Sequence, residues 1–284
     1  MNNMLEVQGL YKRYGTFTLE DIAFDLPRGY IMGFIGPNGA GKTTTIKLIL
    51  DIIRRDAGHI KLLDGEGPAA QNESIGVVMD TPLYVDEWTM DDVETAISPF
   101  YRQWNKQTFA ELLKKFELDR KKKVKELSRG MKVKLQIAAA LSHNATLLIL
   151  DEPTSGLDPV AREEICDLLR EFISDENKSV LFSTHITSDL EKVADYITFI
   201  LGGKIVYTGP KDALLEKYVR VTGGLSDITG AQKKHIIGYR EHATGFEGMA
   251  ERADMERLAD GVLAEEITLE EIIIFMNKGE SLHE

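Results

Sequence analysis

Gly36-Pro37-Asn38-Gly39-Ala40-Gly41-Lys42-Thr43-Thr44 follows the apolar run Tyr30 to Ile35 and precedes a helical pattern with Ile46, Ile49, Leu50 and Ile53 on one side. Strand, glycine-rich turn and helix in that order are the setting of a phosphate-binding loop. The glycines let the backbone curl so that consecutive amides point inward. The helix that follows adds unpaired N–H groups and the positive end of its dipole, so the concavity suits polyphosphate. Lys42 is expected to reach the β and γ phosphates, with Thr43 holding Mg²⁺ through its hydroxyl. The chain is therefore expected to bind a nucleoside triphosphate.

Such a loop serves many kinds of machine, so the rest of the chain must say which one. Leu147-Leu148-Ile149-Leu150 is a short apolar run of the kind expected for a buried parallel strand, and it ends in Asp151-Glu152-Pro153. Asp151 is placed beside Mg²⁺ on this reading, and Glu152 is positioned to polarise an attacking water. Upstream, Leu127-Ser128-Arg129-Gly130-Met131 opens a helical stretch through Ala140. Downstream come Ser155-Gly156-Leu157-Asp158-Pro159 and, after another apolar strand, Ser183-Thr184-His185.

With these residues together, the chain resembles the ATP-binding subunit of an ATP-binding cassette (ABC) transporter, over about residues 4–210 and with each motif in the family's order. The resemblance implies an α/β P-loop NTPase fold of the ABC ATPase type. It has a parallel core sheet, an N-terminal antiparallel β subdomain and a helical subdomain. It implies that Tyr14 stacks on adenine and that Asn38 through Thr44 (Asn38, Gly39, Ala40, Gly41, Lys42, Thr43, Thr44) cradle the phosphates. His185 and Glu152 would orient the water, with Lys42 neutralising developing charge. Ser128 and Gly130 would form a second anion site that closes over the γ phosphate held by another subunit, and Asp158 would lie in the loop that meets that subunit. Taken alone, Tyr14 reads better as a core aromatic and His185 as a structural histidine, and only the order of motifs turns the reading. The implied assembly is a homodimer or heterodimer of ABC ATPase subunits around two ATP, driving export through a separate transmembrane permease.

Two motifs depart from the family pattern, at three positions. The signature usually reads LSGGQ, whereas here Arg129 replaces the first Gly and Met131 the Gln. Asp80, in Ile75-Gly76-Val77-Val78-Met79-Asp80-Thr81-Pro82, stands where the family usually has Gln, and its carboxylate could accept from a Mg²⁺-bound water. Both variants resemble ATPases of bacterial ABC-2 type exporters, including those of antimicrobial-peptide resistance. Two alternatives stay open: a regulatory cassette that binds ATP with little turnover, and a soluble cassette ATPase outside transport.

Composition bounds the setting. The chain has 284 residues, 43% of them hydrophobic, enough for one large domain and a small one. No apolar run approaches the roughly 18 to 20 residues of a membrane span, and Met1 to Gly9 lacks the regions of a signal peptide. A cytoplasmic protein held at the inner membrane face by its permease is expected. The single Cys166 sits among Ile165, Leu168 and Leu169 and reads as a packing residue. A formal charge of −12 speaks against a nucleic-acid partner, although Arg120 to Lys134 is locally basic, which reads as a solvated face or as an attraction for phosphate or lipid headgroups.

The chain divides on this reading into an ABC ATP-binding domain, 1–210, and a C-terminal α/β accessory domain, 211–284. Residues 1–29 carry antiparallel strands, 30–81 and 145–210 the parallel strands, and about 82–144 the helical subdomain. Near the start of that subdomain, Tyr84, Trp88, Tyr101 and Trp104 are candidates for a groove that receives a partner helix. Residues 211–284 hold 15 acidic against 9 basic residues, half of the chain's formal charge. They are nonetheless too apolar in places for a disordered tail. Leu263, Ile267, Leu269, Ile272, Ile273 and Phe275 are expected to supply a packed face.

Overall fold

The computed structural model describes residues 3–63, 65–66, 72–81, 84–259 and 261–280. Pro82, where the helical subdomain was expected to begin, lies outside the described residues. The chain forms two compact units, Met1–Thr208 and Gly209–Glu284.

The first unit opens with β1 (Asn3–Tyr14), β2 (Phe17–Pro27), β3 (Ile31–Ile35) and α1 (Lys42–Ile49), followed by β4 (Ala57–Leu62), β5 (Gly65–Glu66) and β6 (Ile75–Val78). Three helices come next: α2 (Met90–Ile97), α3 (Lys106–Lys115) and α4 (Arg129–Ser142). Then β7 (Leu147–Asp151), α5 (Pro159–Phe172), β8 (Ser179–Thr184), α6 (Thr187–Val193), β9 (Tyr196–Leu201) and β10 (Lys204–Pro210) complete it.

Two sheets follow from two hydrophobic patterns. In β2, Ile22, Phe24 and Leu26 are buried while the residues between them are not, the period-two signature of a sheet with one covered face. β1 pairs antiparallel with both β2 and β4, giving the order β2-β1-β4-β5. Gly58 makes the close approach of β4 to β1 possible: its φ is +97°, and a Cβ there would stand 2.5 Å from the Gly9 carbonyl oxygen. By contrast β3, β7 and β8 are buried at every residue, as strands with both faces covered must be. They form the centre of a six-stranded sheet, β10-β9-β3-β8-β7-β6, in which β9, β3, β8, β7 and β6 pair in parallel.

The helices between β6 and β7 are started by side chains. Thr89 and Asp92 form a capping box on α2, the Asn105 carboxamide oxygen accepts from the amides of Gln107 and Thr108 on α3, and Ser128 caps α4. α5 starts the same way, with Asp158 accepting two amides ahead of Pro159. The bond to the Ala161 amide, above all, holds the Asp158 carboxyl below the usual carboxylate range.

The second unit contains α7 (Lys211–Lys217), β11 (Tyr218–Gly223), β12 (Ile237–His242), β13 (Gly245–Glu251), β14 (Leu263–Glu265) and α8 (Leu269–Glu280). Its antiparallel sheet has the order β12-β13-β11-β14 and a core of its own around Val219, Val221, Phe246 and Ala250. Ile267, Leu269, Ile272 and Phe275 are buried, whereas Leu263 is 64% exposed. Leu263 differs from the expected packed face because it lies on β14, an edge strand of three exposed residues.

Leu181 is fully buried in the middle of β8. Leu181→Ala is expected to cost about 2–5 kcal/mol of stability through lost burial and a residual cavity. The exposed Val160→Ala should stay within about 0.5 kcal/mol. Urea unfolding of both variants, followed by near-ultraviolet circular dichroism, measures the difference.

Candidate functional site

Parallel pairing carries four segments to one edge of the central sheet. Ile35 of β3 is level with Thr184 of β8, and Asp151 of β7 is level with Ser183. The glycine-rich loop, the acidic pair Asp151-Glu152, His185 and, beyond β6, Asp80 therefore all leave from the carboxyl ends of their strands. That is where ligands bind in open α/β sheets.

Asp151 is almost wholly buried, and each of its carboxylate oxygens accepts one hydroxyl. Thr43 Oγ1 donates to Oδ2 at 2.8 Å and Ser183 Oγ donates to Oδ1 at 2.7 Å. The Ser183 hydroxyl also accepts the amide of Glu152 at 3.0 Å, and the Ser183 carbonyl accepts it at 3.1 Å. This double anchorage holds Glu152 at φ 51°, a left-handed conformation that non-glycine residues adopt only under compensation. The turn lifts the Glu152 side chain out of the strand and towards the loop.

Glu152 then bridges two cationic or polar groups. Its Oε1 stands 3.1 Å from Lys42 Nζ, and its Oε2 stands 2.7 Å from His185 Nδ1. Lys42 is only 5% exposed and donates in addition to the carbonyls of Gly36 at 2.7 Å and Pro37 at 3.3 Å. A buried ammonium needs such partners. Gly41 starts α1 at φ 113°, and a Cβ there would meet Leu19 Cδ2 at 2.4 Å and Phe17 Cζ at 3.0 Å. Only glycine fits between the loop and β2.

These groups line a cavity of about 500 Å³ together with Asn38, Gly39, Thr44, Asp80, Arg129 and Ser155. No cluster of three or more His, Cys, Asp or Glu side chains among the described residues could hold a metal ion. Thr43 and Asp151 instead offer one hydroxyl and one carboxylate side by side. Mg²⁺ is commonly held by one or two carboxylates plus substrate phosphates, so this donor set fits a cation shared with a polyphosphate and not one caged by protein alone.

The other residues singled out from the sequence are distributed around this cavity. Ser128 caps α4 by accepting the Met131 amide at 3.3 Å, and Gly130 lies in the first turn of that helix facing Leu157 and Ala161. Ala40 is buried within the loop, its amide bonded to the Pro37 carbonyl at 3.2 Å. Tyr14, at the end of β1, is 45% exposed with the Lys12 ammonium 5.3 Å from its ring centroid, and it is not among the cavity's lining residues. Asp158 spends its carboxylate on the amides of Val160 and Ala161.

Three contributors had not been assigned from sequence. Phe17 supplies the aromatic wall of the cavity, Ser183 orients both Asp151 and Glu152, and Arg129 pairs with Asp80. A serine two residues before the histidine at the end of a strand was the available signal for Ser183. Arg129 is marked as a departure from the signature but its partner is not, and nothing local marks Phe17.

A second cavity, of about 340 Å³, is lined by Val77, Tyr84, Trp88, Ile97, Phe100 and Tyr101 among others. Phe100 is 78% exposed, and the Tyr101 ring stacks on His143 with centroids 3.9 Å apart. Burial pushes the His143 imidazole below its ordinary value, which keeps this wall uncharged. Trp104 does not line the cavity itself but backs its wall, packed on Phe109 and stacked on Tyr101.

Comparison with known proteins agrees with this geometry. Residues 19–155 match the family model described as ABC transporter. The chain is 36% identical over 207 residues to the lantibiotic transport ATP-binding protein SrtF of Streptococcus pyogenes, covering 72% of this chain and 89% of that protein. It is 33% identical over 252 residues to the bacitracin transport ATP-binding protein BcrA of Bacillus licheniformis, covering 85% and 80%. A solved ATP-binding subunit of an ABC transporter superposes with a TM-score of 0.67 at 29% identity, covering 74% of this chain and 91% of that one. A phosphate loop at the carboxyl edge of a parallel sheet, matched over most of its relatives' length, makes this chain a member of the ABC transporter ATP-binding proteins, a family of ATPases.

Proposed function

We propose that this chain is the ATP-hydrolysing motor subunit of an exporter, closing as a dimer around two ATP and driving a separate membrane subunit. The observation that carries the reading is the contact chain Lys42–Glu152–His185 in one cavity with Thr43, whose hydroxyl is bonded to the buried Asp151 behind the wall. Lys42, Glu152 and His185 are read as the catalytic set. Asn38 through Thr44 are read as the phosphate cradle, and Thr43, Asp151 and Asp80 as the metal side of the site.

The geometry has a direct chemical use. Triphosphate entering the loop competes for the Lys42 ammonium, since phosphoryl oxygens carry more charge than one carboxylate. Glu152 is then released from Lys42 while still bonded to His185. Its free oxygen accepts a proton of the attacking water, whose oxygen bonds to the γ phosphorus as the bond to the ADP oxygen breaks. The loop amides and Lys42 stabilise the charge that develops. Mg²⁺, which Thr43 and Asp151 would hold, would supply further charge neutralisation.

The assembly follows from surfaces. Ser128, Gly130 and the start of α4 are read as the site that meets ATP on a second subunit, with Asp158 at the seam and Tyr14 against adenine. The aromatic groove around Trp88 and Phe100 is read as the seat of a helix from the membrane subunit. No helix among the described residues is long and apolar enough to cross a membrane. The chain is placed at the inner membrane face through that subunit. Residues 1–210 are read as the ATPase domain, with 82–144 its helical part, and 211–284 as an accessory domain. The names of SrtF and BcrA point to a peptide antibiotic as cargo.

Glu152→Gln is expected to keep ATP affinity and lower turnover by about two to four powers of ten, the usual contribution of a general base. Near-normal phosphate release by that variant would remove Glu152 from the role. Ser128→Arg places a cation and bulk at the second anion site while leaving the loop intact. ATP binding by the monomer should survive and ATP-driven dimerisation, read by light scattering, should not. Phe100→Asp should abolish co-purification with the membrane subunit without changing ATP affinity, and retention of the complex would move the docking surface elsewhere.

A further inference from the structure

Two of the three positions that depart from the family pattern, Asp80 and Arg129, touch each other. Arg129, the first residue of α4, forms an ion pair with Asp80, which follows β6, although 49 residues separate them. Both line the cavity that holds Lys42, Glu152 and His185, and both are about half exposed there. The guanidinium also lies over the Ser155–Gly156 turn: a Cβ on Gly156 would stand 3.4 Å from one of its terminal nitrogens.

The placement of Arg129 is costly without an anion. It occupies the first turn of a 14-residue helix that has no acidic residue in that turn, so the helix dipole repels it. Asp80 supplies the compensating charge. An ion pair this open to water is weak, and a competitor carrying several charges displaces it. Polyphosphate in the same cavity is such a competitor for Arg129, and a divalent cation accompanying it is one for Asp80.

Resting on the reading of this cavity as an ATP site, we propose that Asp80 and Arg129 form an exchangeable ion pair. In the single subunit, before Ser128 and Gly130 meet ATP on a second one, Arg129 becomes a phosphate ligand of the chain's own cavity once Asp80 releases it. The exchange releases only the outer of two ties between the end of β6 and α4, because the buried Gln136 of α4 keeps its two hydrogen bonds to the Met79 backbone, at 3.0 and 3.2 Å. Asp80 acts as the gate in this scheme: polyphosphate competes with its carboxylate for Arg129, and a divalent cation held by Asp80 would ease that exchange.

The test is ATP affinity of the full-length protein by calorimetry, in EDTA and in Mg²⁺, for Asp80→Asn, Arg129→Gln and the double variant. In EDTA, Asp80→Asn should tighten ATP binding about 3- to 10-fold and Arg129→Gln should weaken it roughly tenfold, the scale of one charge-assisted hydrogen bond. The gain from Asp80→Asn should disappear when Arg129→Gln is also present, and should shrink in Mg²⁺. AMP, which lacks the outer phosphates, should bind all four proteins alike. Unchanged ATP affinity in both single variants would overturn the proposal. So would a full gain from Asp80→Asn in the Arg129→Gln background, since that gain would then be repulsion relieved and not an arginine released. Lys42→Ala separates this from the underlying reading: if its ATP affinity equals that of the unaltered protein, the ATP-site assignment itself fails.

Discussion

The buried carboxylate of Asp151 is the constraint on which the site is built. A charge removed from water must be met by donors, and here the donors are Thr43 from the start of α1 and Ser183 from the end of β8. One side chain thus fixes the distance between the phosphate loop and two strands of the central sheet. Through Ser183 it also fixes the amide of Glu152 and so the strained turn that aims this residue at Lys42.

Charge in the cavity is held in pairs whose members come from different elements. Lys42 faces Glu152 and Arg129 faces Asp80, while His185 Nδ1 is a further polar contact of Glu152. The pairs differ in depth, and depth decides how easily they part. Lys42 is nearly inaccessible and has two backbone carbonyls besides Glu152, whereas the Asp80–Arg129 pair is open to solvent. A triphosphate entering the proposed site would therefore rearrange the outer pair at little cost and the inner one only by replacing its charge in kind.

The pairing of Asp80 with Arg129 gives two of the three departures from the family pattern a common physical sense. An arginine at the first turn of α4 brings a positive charge to a position where the helix itself is positive, and a carboxylate at the end of β6 neutralises it. Each replacement alone would leave an unmatched charge in the cavity wall. Together they form a contact between the central sheet and the helix that carries Ser128.

Sequence alone determined what depends on local backbone and burial. The glycine pattern around Lys42 predicted the loop because no other residue type permits that curl, and Gly41 at φ 113° against Leu19 illustrates the reason. The uninterrupted apolar run of β7 predicted a strand buried on both faces, and the ABC ATPase fold was legible from motif order. Tertiary structure decided what depends on chain segments meeting across the sheet. Thr43 and Asp151 are 108 residues apart, Asp151 and Ser183 are 32, and the Asp80–Arg129 pair spans 49. Phe17 in the cavity wall and Leu263 on an exposed edge strand belong to the same class. Periodicity reports which face of an element is apolar, but only the packed fold decides which partner that face or charge will find, because partner choice is set by strand order and register between distant segments.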